Sequence, residues 1–281
     1  MLLIDANQIA ITTLMAESKG KPIADIDLMR HMFLATIRNL RRKFKNSGEV
    51  VLCWDAGNYW RKEIFPYYKA HRKKIREESD VDWNKIFENL HVIRREIKDN
   101  FPYRSLKVER CEADDIIAIL TKQYAQVEDI VIISSDEDFL QLQIYPRVRQ
   151  WSPMKNQFLK CDDAKDFLAR KIMRGDTGDG VPNFLSDDDC LVAEDKRQKP
   201  LLEKKMTGWL SDPLNREWDD RMVRNHERNE ALVSLFKIPS EYTDSIFEEW
   251  ESGERVTDRS KIMPYFIANR MKLLIEHIED F

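Results

Sequence analysis

Residues 111–142 read CEADDIIAILTKQYAQVEDIVIISSDEDFLQL. Glu112, Asp114 and Asp115 head an apolar-periodic segment in which Ile116, Ile119 and Leu120 share one side, so a helix is expected over Glu112 to Tyr124. The apolar run Ile130-Val131-Ile132-Ile133 reads as a buried strand, and Asp136 and Asp138 stand in the turn beyond it. A helix packed back on that strand brings both acidic clusters to one point. Carboxylates gathered there repel one another strongly unless a cation lies between them. The plainer reading places one acid at a helix N-cap or in a first turn, where it interacts with the helix dipole. That effect is worth about 0.3–1 kcal/mol and does not call for three acids together.

Working outward, Leu2-Leu3-Ile4 is a short buried strand that ends in Asp5, and Val50 to Trp54 is a second that ends in Asp55. Helices are expected from Asp25 to Lys45, through Ile26, Met29, Phe33, Ile37 and Leu40, and from Trp83 to Lys98, through Ile86, Leu90, Ile93 and Ile97. Strands alternating with helices indicate an α/β domain with a mostly parallel central sheet flanked by helices. In such sheets ligands gather at the carboxyl ends of the strands. Asp5, Asp55 and Asp136 all stand there. One aspartate at a strand end is commonplace, because the residue forms turns and caps helices; three in one sheet point to a site.

Asn58 to Asp82 differs in character. Trp60, Phe65, Tyr67 and Tyr68 are interleaved with Arg61, Lys62, Lys69, Arg72, Lys73, Lys74 and Arg76. Aromatic rings stack on bases and cations meet phosphates, so the mixture suits a strand-binding surface. Taken alone it suits a solvated amphipathic helix anchored by its aromatics better. Further on, a helix from Asp163 to Arg174 runs into Gly175-Asp176-Thr177-Gly178-Asp179-Gly180-Val181-Pro182-Asn183. A second helix is expected after this turn, making a hairpin whose backbone N–H groups can meet a phosphate. Asp176 and Asp179 are spaced to reach a metal from one turn. Pro264 to Phe281 reads as an amphipathic helix.

Of the 281 residues 42% are hydrophobic and 34% charged, with a net charge of −4. No apolar run approaches the roughly 20 residues needed to span a bilayer, and MLLIDANQ turns acidic too early for a secretory signal. A cytoplasmic protein without membrane association is expected. Four cysteines without a CxxC pair, and five scattered histidines, leave no zinc-ligand spacing. Any metal is therefore a hard ion held by oxygen, magnesium or manganese. The net charge argues weakly against nucleic acid, but acids concentrate at the motifs while Lys and Arg run densely from Arg38 to Arg76. A phosphatase with strand-end aspartates is excluded on its own pattern: it needs a second Asp two residues after the nucleophile, and Asn7 follows Asp5.

Together, Asp5, Asp55, CEADD, SSDEDF and GDTGDGVPN resemble, in order and spacing, the flap endonuclease (5′-nuclease) family. Arg61, Pro66, Tyr68, Lys69 and Arg72 match that family's R…P-x-Y-K-x-x-R stretch. The resemblance covers most of the chain and is weakest from Leu185 to Glu254. It implies a PIN-like 5′-nuclease core at 1–161 with a helical arch or clamp at 58–82. It also implies a mainly helical DNA-binding domain at 162–281 that contains a helix–turn–helix hairpin. The implied activity is Mg²⁺-dependent 5′ to 3′ nuclease action on DNA, RNA–DNA hybrids and 5′ flaps, with removal of RNA primers in lagging-strand synthesis. Asp5, Asp55, Glu112 and Asp114 would hold one Mg²⁺, and Asp115, Asp136, Asp138, Asp176 and Asp179 would surround a second, with Mn²⁺ able to replace either. Lys69 and Arg72 would meet the scissile phosphate. Arg61, Tyr67, Tyr68, Lys73, Lys74, Gly178 and Gly180 would contact nucleic acid. A monomer is implied, with a single-strand-binding protein as partner through the C-terminal region. The chain departs from bacterial relatives after the GD-x-x-D turn, where Val181 to Ser186 replaces the phrase that completes a monovalent-ion site; this puts a potassium site in doubt. It also begins four residues before Asp5, so an N-terminal extension reaching a sliding clamp is not expected. A non-catalytic branched-DNA binder of the same fold is the alternative from another class, but such a protein normally lacks one of these acids.

Overall fold

In a computed structural model that describes residues 1–18, 24–213, 216–253 and 258–281, the chain folds as alternating strands and helices and then as helices. β1 (Leu2–Asp5) runs directly into α1 (Ala6–Glu17). α2 (Ile26–Lys43) is capped by Asp25, buries Met29, Phe33, Ile37 and Leu40, and ends in Arg41, Arg42 and Lys43; the charges sit at the ends the helix dipole favours. β2 (Val50–Cys53) follows, then two short helices, α3 (Arg61–Ile64) and α4 (His71–Glu77), and the long α5 (Trp83–Asn100). β3 (Arg104–Leu106), α6 (Ala113–Tyr124), β4 (Ile130–Ile133), a 3-10 segment (Glu137–Ile144), β5 (Val148–Ser152) and β6 (Gln157–Leu159) come next. The second half holds α7 (Ala164–Arg174), a 3-10 turn (Thr177–Asp179), α8 (Glu203–Ser211), α9 (Asp220–Val233), α10 (Ser240–Ser252), α11 (Ile262–Ala268) and α12 (Lys272–Ile275).

The sheet has the order β3-β2-β1-β4-β5-β6 among the described residues, and only β6 runs antiparallel to its neighbour. A parallel sheet is covered on both faces, so its strands are apolar throughout rather than alternating. Leu2, Ile4, Leu52 and Ile133 face one core with residues of α1, α2 and α5, while Leu3, Val51, Cys53 and Ile132 face another with α6. The end of the chain joins the first of these cores. Phe281 is fully buried, 5.8 Å from the Phe101 ring and 5.1 Å from that of Phe266. Among the described residues no helix is long and apolar enough to cross a membrane.

The mostly parallel sheet is as expected, and the structure corrects three local readings. No helix follows Gly180 directly. A backbone bridge between Asp176 and Val181 closes the turn on itself, and Pro182 leads into turns until α8. The 58–82 stretch is two short helices rather than one: Phe65, ahead of Pro66, is extended and ends the first, and Lys69 adopts φ +56° before the second. The C-terminal amphipathic segment is likewise broken, at Arg270 with φ +55°, into α11 and α12.

Candidate metal centre

Asp5, Asp55 and Asp136 stand at the carboxyl ends of β1, β2 and β4, with β1 between the other two, and Glu112 and Asp114 reach the same edge from the start of α6. The capping reading and the site reading hold together for Asp5. One oxygen caps α1 by accepting from Gln8 N at 3.1 Å, and the other accepts from the Ser134 hydroxyl at 3.1 Å. Asp136 likewise caps the 3-10 segment through Asp138 N at 2.9 Å, and its carbonyl is held by the Gln150 amide at 2.6 Å. Asp55 accepts from Ala113 N at 2.9 Å, tying β2 to the head of α6.

The electrostatics show how tightly these acids are gathered. Burial first, and then Asp55, push the Asp5 carboxyl up to about 8. Asp114 is raised well above its ordinary range by burial, Asp136 and Asp5, and Asp55 is raised by burial and Glu112. Burial and Asp136 push Asp138 to about 8. Asp136 thus acts on Asp5 and Asp114 as well as on Asp138, so its charge is felt in both groups of acids.

Lysine ammonium groups lie among these carboxylates. Lys171 from α7 bridges Asp138 at 2.5 Å and Asp176 at 2.7 Å. Lys69 bonds Glu112 and lies 3.5 Å from Asp179. Against the burial that pulls both lysines down, their carboxylate neighbours hold them above the ordinary value. Among the described residues no three acids converge as a ready-made metal cage; pairs of acids from different elements are drawn together around these two cations instead. Such a hard, all-oxygen donor set, already gathered around positive charge, fits divalent ions of the magnesium type. Lys171 was not read as a site residue from the sequence. Its only signal is a lysine in the last turn before Gly175-Asp176.

Arg72 and Tyr68 complete the wall on the arch side. Arg72 donates to Asp179 at 2.5 Å and to the Gly178 carbonyl at 3.1 Å. Lys69 sits in the left-handed region, rarely adopted by a lysine, and its backbone N–H donates to the Asp179 carbonyl at 2.7 Å. Lys69 and Arg72 together hold Asp179 below the ordinary carboxylate value despite its burial. The turn fits there because of its glycines. A Cβ on Gly175 would lie 2.4 Å from the Val181 and Pro182 carbonyl oxygens, and one on Gly180 would lie 3.0 Å from Tyr67 O.

Four of the expected site residues are engaged inside the protein. Asp115 is fully buried and shares the Arg61 guanidinium with Glu112: its oxygens accept from Arg61 at 2.7 and 3.0 Å, from the Trp60 indole at 3.1 Å and from Glu112 N at 2.9 Å. Arg61 is 2% exposed and bonds Asp115, Glu112 and the Leu232 carbonyl. Tyr68 is buried, donating 2.8 Å bonds to Glu112 and Asp179, and has no face for a base. Gly180 is buried with its N–H given to Thr177 O, whereas Gly178 is exposed. Tyr67, Lys73 and Lys74 remain at the surface, the lysines near Glu77 and Glu194. α9 was not anticipated as a support. Asn229 donates to the Ile172 and Pro182 carbonyls at 2.8 and 3.0 Å, fixing the end of α7 and the far side of the acidic turn.

Residues 1–170 match the family model described as 5′-3′ exonuclease, N-terminal resolvase-like domain, and residues 164–281 match that described as T4 RNase H, C terminal. The chain is 32% identical over 290 residues to ribonuclease H of Enterobacteria phage T4, an alignment covering 99% of this chain and 95% of that one. It is 31% identical over 145 residues to the flap endonuclease Xni of Shewanella sp. strain MR-4, covering 48% and 52% respectively. The T5 5′-exonuclease with bound zinc superposes with a TM-score of 0.66 at 18% identity, covering 92% of this chain and 99% of that one. A T5 flap endonuclease in a pseudo-enzyme–product complex with DNA and metal ions gives the same TM-score at 18% identity over 89% of this chain and 99% of its own. At that identity the two T5 structures speak for the fold.

Proposed function

The chain belongs to the 5′–3′ exonuclease family, and on that premise we propose that it is a two-metal 5′ to 3′ nuclease that acts on RNA–DNA hybrids, duplex DNA and 5′ flaps. Removal of RNA primers during lagging-strand replication is the task that fits this activity. One observation carries the reading: buried, mutually repelling acids from β1, β2 and α6 lie at the carboxyl edge of the sheet beside two lysine ammonium groups that pair acids of α6, the turn after β4 and the turn after α7.

Asp5, Asp55, Glu112, Asp114 and Asp136 would hold one Mg²⁺, and Asp138, Asp176 and Asp179, with Asp136 between, a second. Such ions lower the pKa of bound water and neutralise charge on a phosphate. The chain's own residues do the rest. Ser134, Gln8 and Gln150 fix the β4 turn: Gln8 accepts from Ser135 N at 2.6 Å, and Gln150 donates to Ser134 O at 2.9 Å. The Arg61–Asp115–Glu112 ion network, sealed by Trp60, sets the head of α6 and with it the direction of Glu112 and Asp114. Lys69 and Arg72, here bonded to Glu112 and Asp179, would turn to a phosphate once cations neutralise those acids, and would orient it. Tyr67, Lys73 and Lys74 offer an exposed stacking ring and screened charges along the arch for the strand.

Labelled 5′-flap and RNA–DNA hybrid substrates test the reading. With Mg²⁺ the wild type yields short products from the 5′ side, and Asp136→Asn binds without cutting. Arg72→Ala lowers kcat about 10²-fold with little change in KM, as loss of one transition-state contact does. Intact substrate with the wild type from pH 7 to 9 in both Mg²⁺ and Mn²⁺ refutes the nuclease reading.

A further inference from the structure

Beside Asp55, the loop after β2, the end of β3 and the facing sides of α4 and α5 enclose a hollow of about 300 Å³. Arg76, His91, Arg94 and Lys107 line it, and of these the sequence reading had touched only Arg76, within the basic aromatic stretch. Their neighbours Lys73, Lys98 and Arg104 are each paired with a carboxylate. Among the described residues Arg76, Arg94 and Lys107 form no ion pair, in a chain with more acids than bases. The Arg94 Nε is buried without a hydrogen-bond partner. Lys107 Nζ lies 3.3 and 3.4 Å from the two ring nitrogens of His91, and the Arg76 guanidinium lies 5.1 Å over the Phe87 ring.

Gathering cations in this way is unfavourable unless an anion completes the group. Burial first, and then repulsion among Lys107, Arg94 and Arg95, hold His91 below its ordinary value; burial and Arg94 do the same to Lys107. The acids that face the group are Asp55, Asp99 and Glu249, and they act on it only at longer range. Asp55 belongs both to the rim of this hollow and to the acidic cluster, so the two are contiguous. Arg72, bonded to Asp179, also lines the hollow. Phe87 and Tyr59 supply ring surface in the wall, which suits a nucleotide better than a bare anion.

We propose that this hollow binds the phosphate of the nucleotide on the 5′ side of the cut, so that a short strand is gripped by its 5′-terminal phosphate. The assignment rests on the nuclease reading for its strand polarity. On a longer flap the same position takes an internal phosphodiester.

Fluorescence anisotropy in Ca²⁺ tests it, using forks with a one-nucleotide or a three-nucleotide 5′ flap, each carrying a 5′-phosphate or a 5′-hydroxyl. On the one-nucleotide fork the wild type binds the phosphate form roughly tenfold more tightly, the effect of one charge-assisted contact. In Arg94→Gln and in Lys107→Gln, made separately so that a folding defect in one leaves the other informative, that ratio falls toward one. On the three-nucleotide fork the wild-type ratio is near one, and both variants bind more weakly than the wild type. A wild-type ratio of one on the short fork, or a ratio that neither folded variant changes, overturns the assignment. Binding is read without cleavage, so failure of the nuclease reading shows separately, as uncut substrate in Mg²⁺.

Discussion

Asp5→Asn isolates the electrostatic load of the acidic cluster. The substitution keeps the side chain's shape, and Asn caps a helix as well as Asp, so the bond from Gln8 N survives. What is lost is a charge. Asp5 titrates at about 8 in the fold against an ordinary 3.8, raised by burial, Asp55 and Asp136. A carboxyl with a raised folded pKa contributes stability that is full below 3.8 and is lost as pH climbs to about 8. At pH 7 about three pH units of that span have been crossed, a ceiling of about 4 kcal/mol at about 1.36 kcal/mol per unit. Protons are shared among coupled carboxylates, so one site accounts for about half, roughly 2 kcal/mol. For a chain of this size that is a Tm shift of about 5 °C. Thermal unfolding in EDTA from pH 5 to 8.5 should therefore show Asp5→Asn gaining on the wild type as pH rises, with a plateau above pH 8. Added Mg²⁺ should raise the wild-type Tm and raise that of the variant much less. A variant that is less stable than the wild type at pH 8, or whose advantage does not grow with pH, refutes the reasoning.

Other outcomes follow from the same geometry. Arg61→Ala leaves Asp115 and Glu112 buried without their partner, a loss of about 3–5 kcal/mol that chemical denaturation should register and that added salt should leave nearly unchanged. Gly180→Ala places a Cβ at φ +76° and 3.0 Å from Tyr67 O; the left-handed conformation alone costs about 1–2 kcal/mol. Gly175→Ala, whose Cβ would lie 2.4 Å from two backbone oxygens, should be the more damaging of the two in the same urea titration.

Much of this was legible because the carboxylates follow apolar runs. β1, β2 and β4 are continuous apolar stretches that end in aspartate, and a parallel sheet puts such ends together. β5 was hidden by Arg149 and Gln150: Gln150 is fully buried only because its amide finds the Ser134 and Asp136 carbonyls. β3 is three residues long and carries no period. Arg61 and Tyr68 read as surface because composition cannot see that both meet the buried Glu112, 51 and 44 residues further on. The hairpin's second helix was expected from the glycine turn alone, whereas the Asp176–Val181 bridge and Pro182 send the chain into turns. Lys171 and Asn229 act through tertiary placement, which leaves no mark in local periodicity.

The proposed centre holds two divalent ions, shared among acids of the sheet edge and of the turn after α7. Counting ions by calorimetric titration of Mn²⁺ at pH 7.5 tests it most directly. The wild type should bind two per chain, and Asp176→Asn should lose one while keeping the ion held by Asp5, Asp55 and Asp114. A wild type that binds none or one, or an Asp176→Asn protein that still binds two with unchanged affinity, would contradict it.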